Sequence, residues 1–163
     1  MKSFKDYLNE KKKKFVAIYF TKETNNKLRN YAIENGFDLT VNYAGDKIPA
    51  SGFDFHCTIF FSDNDSDLRN GKFKVDGYKA RATGLKLLGV DKNIPVLSLN
   101  TAFENIRDNF EKLGLRDQWP QWVPHVSLSY NKTDIPNINN IKAPDFDIVA
   151  EYVIVKDQKD QND

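Results

Sequence analysis

Apolar residues alternate with a period of two across residues 15–20, placing Val16, Ile18 and Phe20 on one face and Phe15, Ala17 and Tyr19 on the other, which predicts a strand. Thr21 can cap a following helix whose apolar positions Leu28, Tyr31 and Ala32 share one side, and Gly36 can end it. Residues 38–54 have no period and contain Gly45, Pro49, Ser51 and Gly52, so they read as a long loop. Phe55-His56-Cys57-Thr58-Ile59 is apolar and β-branched and reads as a strand again. The same order returns later. Residues 94–99 predict a strand, Thr101-Ala102-Phe103-Glu104 has the form of a capping box, and Phe103, Ile106, Phe110 and Leu113 make a buried stripe closed by Gly114. A loop with Trp119, Pro120 and Trp122 then leads into Pro124-His125-Val126-Ser127-Leu128, a further strand. The chain therefore runs twice through strand, cap, helix, glycine, loop and strand, with unequal loops.

The remaining stretches fill in around this repeat. Residues 72–75 and 78 onward flank Asp76-Gly77, a short-range hairpin signal, and residues 78–90 and 94–99 suggest a second pair turning at Asp91-Lys92-Asn93. Residues 131–144 predict an irregular connection and residues 148–155 a last strand. Residues 1–14 read as an N-terminal extension, with a short amphipathic helix through Phe4, Tyr7 and Leu8. Its lysines 11–14 read as a solvated linker in preference to an anion-binding patch, and residues 156–163 read as a disordered charged tail.

Length, charge and cysteine content narrow the class. One domain over residues 1–163 is the expectation at this length. A single cysteine excludes an intramolecular disulfide and suits a reducing cytoplasm, and Cys57 falls on the inward face of its strand, where it reads as a small buried hydrophobe. A net charge of +1 gives no global attraction to long nucleic acid, and no apolar run reaches the roughly 18 residues of a membrane span. The expected protein is soluble and cytoplasmic.

The candidate chemistry lies in the two histidines, the only two in the chain, each two positions before a hydroxyl. With 14 Ser and Thr in 163 residues, that coincidence has a chance under roughly one in a hundred. On a strand, residues i and i+2 share a face, so His56 looks the same way as Thr58, and His125 the same way as Ser127. A pair of imidazoles can act as base and acid in one reaction near neutral pH, which suits cleavage of a phosphodiester, while the hydroxyls donate to non-bridging phosphate oxygens. Two distant histidines offer no compact metal-ligand spacing, so neither a metal nor another cofactor is expected. No Gly-x-Ser-x-Gly, P-loop or dinucleotide fingerprint is present. Tyr43, in the long loop, reads either as a base-stacking lid or as an ordinary loop aromatic.

The two His-x-Thr/Ser strands resemble the paired signatures of the 2H phosphoesterase superfamily. That resemblance covers nearly the whole chain and implies an α+β, two-lobed fold of duplicated strand-helix-strand units, with antiparallel sheets around a central cleft. It further implies metal-independent phosphodiester cleavage, with His56 and His125 as acid and base and Thr58 and Ser127 on the phosphate. Within the superfamily, residues 15–24 and Glu151-Tyr152-Val153-Ile154-Val155 resemble the phage anti-CBASS nucleases, which degrade the cyclic di- and oligonucleotide signals of bacterial antiviral defence. The implied substrate is a cyclic di- or oligonucleotide, the implied setting the host bacterial cytoplasm, and a monomer is the expected state. Glu151 is then expected to orient or charge a catalytic histidine, against the plain reading of an edge-strand carboxylate facing water. Tyr19 reads as stacking on a base or bonding a phosphate and Trp122 as a base platform, each against simple packing. The rival readings are an RNA 2′,3′-cyclic or 2′-5′ phosphodiesterase and a nucleotide-binding sponge without turnover.

Overall fold

A computed structural model describes residues 11–158 of the chain, so the helix expected within 1–10 and residues 159–163 of the expected tail lie outside the described residues. The first strand begins earlier than its alternation predicts: β1 spans Lys12–Phe20. The last, β8, spans Ile148–Asp157 and takes in two residues assigned above to the tail. Both extensions have one cause. Lys14 is 6% exposed, and its Nζ donates to Asp157 at 2.6 Å and to Asn70 Oδ1 at 3.0 Å. A buried ammonium needs such partners, so Lys14 is a strand residue and neither linker nor patch.

The sheet holding β1 and β8 is antiparallel, in the order β2 (His56–Ser66), β1, β8, β3 (Gly71–Lys74), with β4 (Lys79–Ala80) also on β8. A second antiparallel sheet has the order β5 (Ala82–Leu88), β6 (Ile94–Leu99), β7 (His125–Ser127). Helix α1 (Lys22–Glu34) joins β1 to the loop before β2, and α2 (Glu104–Lys112) lies between β6 and β7. The architecture is α+β, with antiparallel sheets and few helices among the described residues.

The pairing registers of the two sheets correspond residue for residue near the histidines. Tyr19 of β1 faces His56 on one side and Tyr152 on the other, while Ser98 of β6 faces His125 and Gly84. The next residue skips a position in each sheet: Phe20 pairs Ala150, leaving Glu151 as a bulge, and Leu99 pairs Ala82, leaving Thr83. The residue after that is a helix cap in each. Thr21 Oγ1 accepts from the Thr24 amide at 3.2 Å, and Asn100 Oδ1 accepts from the Ala102 amide at 3.4 Å. The amides of Thr21 and Asn100 donate to Val149 and Arg81 carbonyls, each at 3.0 Å.

Three expectations are corrected at this level. Asp76-Gly77 makes no hairpin: β3 and β4 both pair with β8, and the Gly77 bend (φ 81°) carries the chain past the Glu151 bulge, where the Val75 amide donates to the Glu151 carbonyl. The second cap is Asn100 and not Thr101, because residues 101–103 form a 3₁₀ turn before α2 begins. Leu113 is exposed, and Leu115 is buried in its place, since Gly114 (φ 96°) turns the chain back and lets the Leu115 amide donate to Phe110.

One buried cluster joins both sheets. It holds Val16, Ile18 and Phe20 of β1, Leu28 and Ala32 of α1, Cys57 and Ile59 of β2, Leu97 and Leu99 of β6, and Val126 of β7. The alternation around each histidine is as the sequence predicts: Phe55, Cys57, Ile59, Val126 and Leu128 point inward. That leaves His56 and Thr58, and His125 and Ser127, half-buried on the opposite face.

Candidate active site

Strand β7 lies against β2, so the two motifs meet along the seam between the sheets. The buried Cys57 thiol sits at the His125 backbone, and the Trp122 indole N–H donates to the Thr58 carbonyl at 3.1 Å. His56 and His125 are near enough for the charge of one to disfavour that of the other.

Each imidazole is held in the same way. His56 Nδ1 lies 3.0 Å from the carbonyl of Asp54, and His125 Nδ1 lies 2.7 Å from the carbonyl of Val123. A carbonyl oxygen only accepts, so Nδ1 is the protonated nitrogen in both rings and Nε2 is left with its lone pair for proton transfer. The partner is the residue two positions before the histidine in both motifs, so one local geometry fixes both tautomers.

Burial holds both imidazoles below the ordinary value of 6.5. Lys156 adds to the effect at His56, and His56 and Lys86 add to it at His125, while Asp54 opposes it at His56. Mutual repulsion of this kind separates the uptake of the first proton from that of the second, and the singly protonated pair is the state that contains one base and one acid.

The surroundings of the two histidines differ. His56 stacks on Tyr19 with ring centroids 5.5 Å apart and planes 26° apart, and Tyr19 stacks on Tyr152 at 5.9 Å. Lys72 Nζ covers the far ring, 3.8 Å from the Tyr152 centroid. The corresponding positions beside His125 are the small Ser98 and Gly84, and Lys86 is the cation facing that ring. One sheet therefore presents an aromatic wall and the other an open floor.

Among the remaining residues singled out from sequence, Ser127 lies near Tyr130, whose ring stacks on Phe53 at 5.4 Å. Tyr43 is 80% exposed and meets Tyr130 edge-on at 5.6 Å, so the long loop does bring an aromatic beside the second motif. Glu151 occupies the β8 bulge beside Tyr152 and is half-buried. Trp122 is half-buried, its N–H is taken by Thr58, and Arg107 lies over its ring with Cζ 5.2 Å from the centroid. Cys57 is fully buried, and burial pushes its thiol up to about 12.

Sequence reasoning missed Asp54, Val123, Tyr130, Lys86 and Lys156. Lys86 carried the clearest signal, as the one charge in the strand Ala82–Leu88. A groove of about 380 Å³ between α1 and residues 144–146 is lined by none of the residues around the histidines. Among the described residues no three His, Cys, Asp or Glu side chains gather as a metal site.

Fold and site together define an α+β protein in which two antiparallel sheets each bring one tautomer-fixed histidine to a shared seam. The chain belongs to the family of the anti-CBASS protein Acb1, whose model matches residues 12–162. No curated protein matches it. Membership of that family indicates an anti-CBASS function.

Proposed function

We propose that this anti-CBASS protein is a metal-independent phosphodiesterase of the 2H type, one domain with a duplicated two-lobed fold, that hydrolyses 3′-5′ linkages of cyclic di- and oligonucleotides. The observation that carries the reading is the matched pair of histidines, each with Nδ1 on the carbonyl two residues back and Nε2 free. One Nε2 removes the proton of the ribose 2′-hydroxyl as that oxygen attacks phosphorus. The protonated Nε2 of the other gives its proton to the leaving 5′-oxygen, and water then opens the 2′,3′-cyclic phosphate with the two roles exchanged. Thr58 and Ser127 donate to the non-bridging oxygens, where negative charge builds up. The exposed Tyr43 offers a ring face to a base, Tyr19, whose ring is stacked between His56 and Tyr152, contacts a phosphate through its hydroxyl, and Glu151, at the bulge beside Tyr152, charges a catalytic histidine.

Mass spectrometry of cyclic dinucleotides and trinucleotides incubated with the protein in EDTA tests this reading. Linear products are expected. Recovery of the intact ring would overturn it, and intact ring recovered only after denaturing the protein would mark a sponge. Linkages lacking the 2′-hydroxyl are expected to resist, and undiminished cleavage there would replace the internal nucleophile with water.

A further inference from the structure

The edge of β2 that faces away from β1 is occupied from Thr58 to Asp63 by groups from α2 and from the stretch between α2 and the second motif. The pairing of β1 with β2 is interrupted there: Ala17 faces Thr58 and Val16 faces Phe60, leaving Ile59 as a bulge directly after the first motif. Bulges near functional sites re-aim side chains and leave backbone groups that need other partners. The Thr58 carbonyl accepts from Trp122 Nε1 at 3.1 Å, and the Ile59 carbonyl from Arg107 Nε at 3.3 Å. Arg107 is itself held between the Phe60 and Trp122 rings, with Cζ 4.6 and 5.2 Å from their centroids, and donates to Asp117 Oδ2 at 3.3 Å. Asp117 is 6% exposed, and its other oxygen accepts from the Phe61 amide at 3.4 Å. The Gln118 amide donates to the Phe61 carbonyl and the Asp63 amide to the Arg116 carbonyl, at 2.9 and 2.7 Å.

We infer that Trp122 and Arg107 are positioning residues that set the separation of His56 from His125, by gripping the carbonyls freed at the Ile59 bulge. Trp122 is the last of these attachments before the second histidine, three residues on. Losing its N–H leaves β7 tied to β6 but releases the segment that delivers His125 to the first motif. The acid–base pair needs its two Nε2 atoms at a fixed span, because a displacement of about 1 Å away from the reacting groups can cost roughly 10²-fold in rate. This inference rests on the paired-histidine reading for its effect on turnover, but its effect on the two rings can be measured without substrate.

The test uses the full chain and the variants Trp122→Phe, which keeps a ring and loses the donor, and Arg107→Lys, which keeps the charge and loses the forked donor. NMR titration follows the two histidines, with His56→Ala assigning the signals. The groups acting on His125 are His56 and Lys86, and those acting on His56 are Asp54 and Lys156. In the wild type, His56→Ala is expected to raise the His125 midpoint, and in either variant the same substitution is expected to raise it by roughly half as much or less. With cyclic dinucleotide, kcat is expected to fall about tenfold or more while KM stays within about twofold. An undiminished coupling overturns the inference whatever the protein hydrolyses, as does an unchanged kcat in a variant of an active wild type. Absence of turnover in the wild type would instead count against the phosphodiesterase reading and leave the titration to decide the positioning.

Discussion

At His56 and His125 the ring is fixed by a backbone carbonyl, so removing the ring orphans no side-chain hydrogen-bond partner, and in the proposed reaction it deletes a proton carrier. His56→Ala and His125→Ala are each expected to lower kcat by roughly 10²–10⁴-fold, with melting temperatures close to that of the wild type at pH 8; steady-state rates and thermal unfolding check both. Cys57 is the opposite case, a nucleophile by composition and a core residue by placement. With its thiol pushed up to about 12, it is expected to resist a thiol reagent in the native protein and to react fully once denatured. The histidine pair and its hydroxyls were legible in sequence because rare residue types repeated a spacing. The carbonyls of Asp54 and Val123 were not, because every residue has one and only the bend before each strand aims it at a ring. Trp122 was legible as a residue for stacking or for packing, and the Thr58 carbonyl it meets belongs to a distant part of the chain.

Helices and strands were legible where the signal was local. Thr21 caps α1 as its sequence predicts, and Thr21→Ala is expected to cost about 1 kcal/mol in denaturant unfolding. The second helix shows where local signals fail, since Gly114 was legible as its end but periodicity cannot see that the turn there brings Leu115 inward in place of Leu113. Leu115→Ala is therefore expected to cost roughly 2–5 kcal/mol, whereas Leu113→Ala, at an exposed site, is expected to stay within about 0.5 kcal/mol. Equal losses would restore the simple helical stripe. Asp76-Gly77 failed as a hairpin signal for a related reason. The turn chemistry was right, but β8 offered both flanking segments a better partner than each other, and its bulge at Glu151 needed the bend.

For the molecule as a whole, the two depressed imidazoles link stability to pH. The unfolded chain takes up protons near 6.5 while the folded chain refuses them, so their contribution is present above that value and is lost as pH falls through the lower folded values. Melting temperature is expected to drop between about pH 7.5 and 5.5, and the double variant His56→Ala/His125→Ala is expected to flatten the drop. Asp157 acts in a separate window: hydrogen-bonded by Lys14, its carboxyl lies below 3.8 in the folded state, and its contribution disappears only as pH falls through that lower value. No helix among the described residues is long and apolar enough to cross a membrane. The sequence by itself determined the α+β class, the repeated order of elements and the inward face of each histidine strand, because periodicity, caps and turn residues act within a few positions. Tertiary structure alone decided how the two sheets meet, where the three strand pairings slip by a residue, which lysines lie near the histidines and what bonds to the outer edge of β2. Those outcomes depend on backbone groups and side chains far apart in the chain competing for the same partners, and no local pattern records the winner.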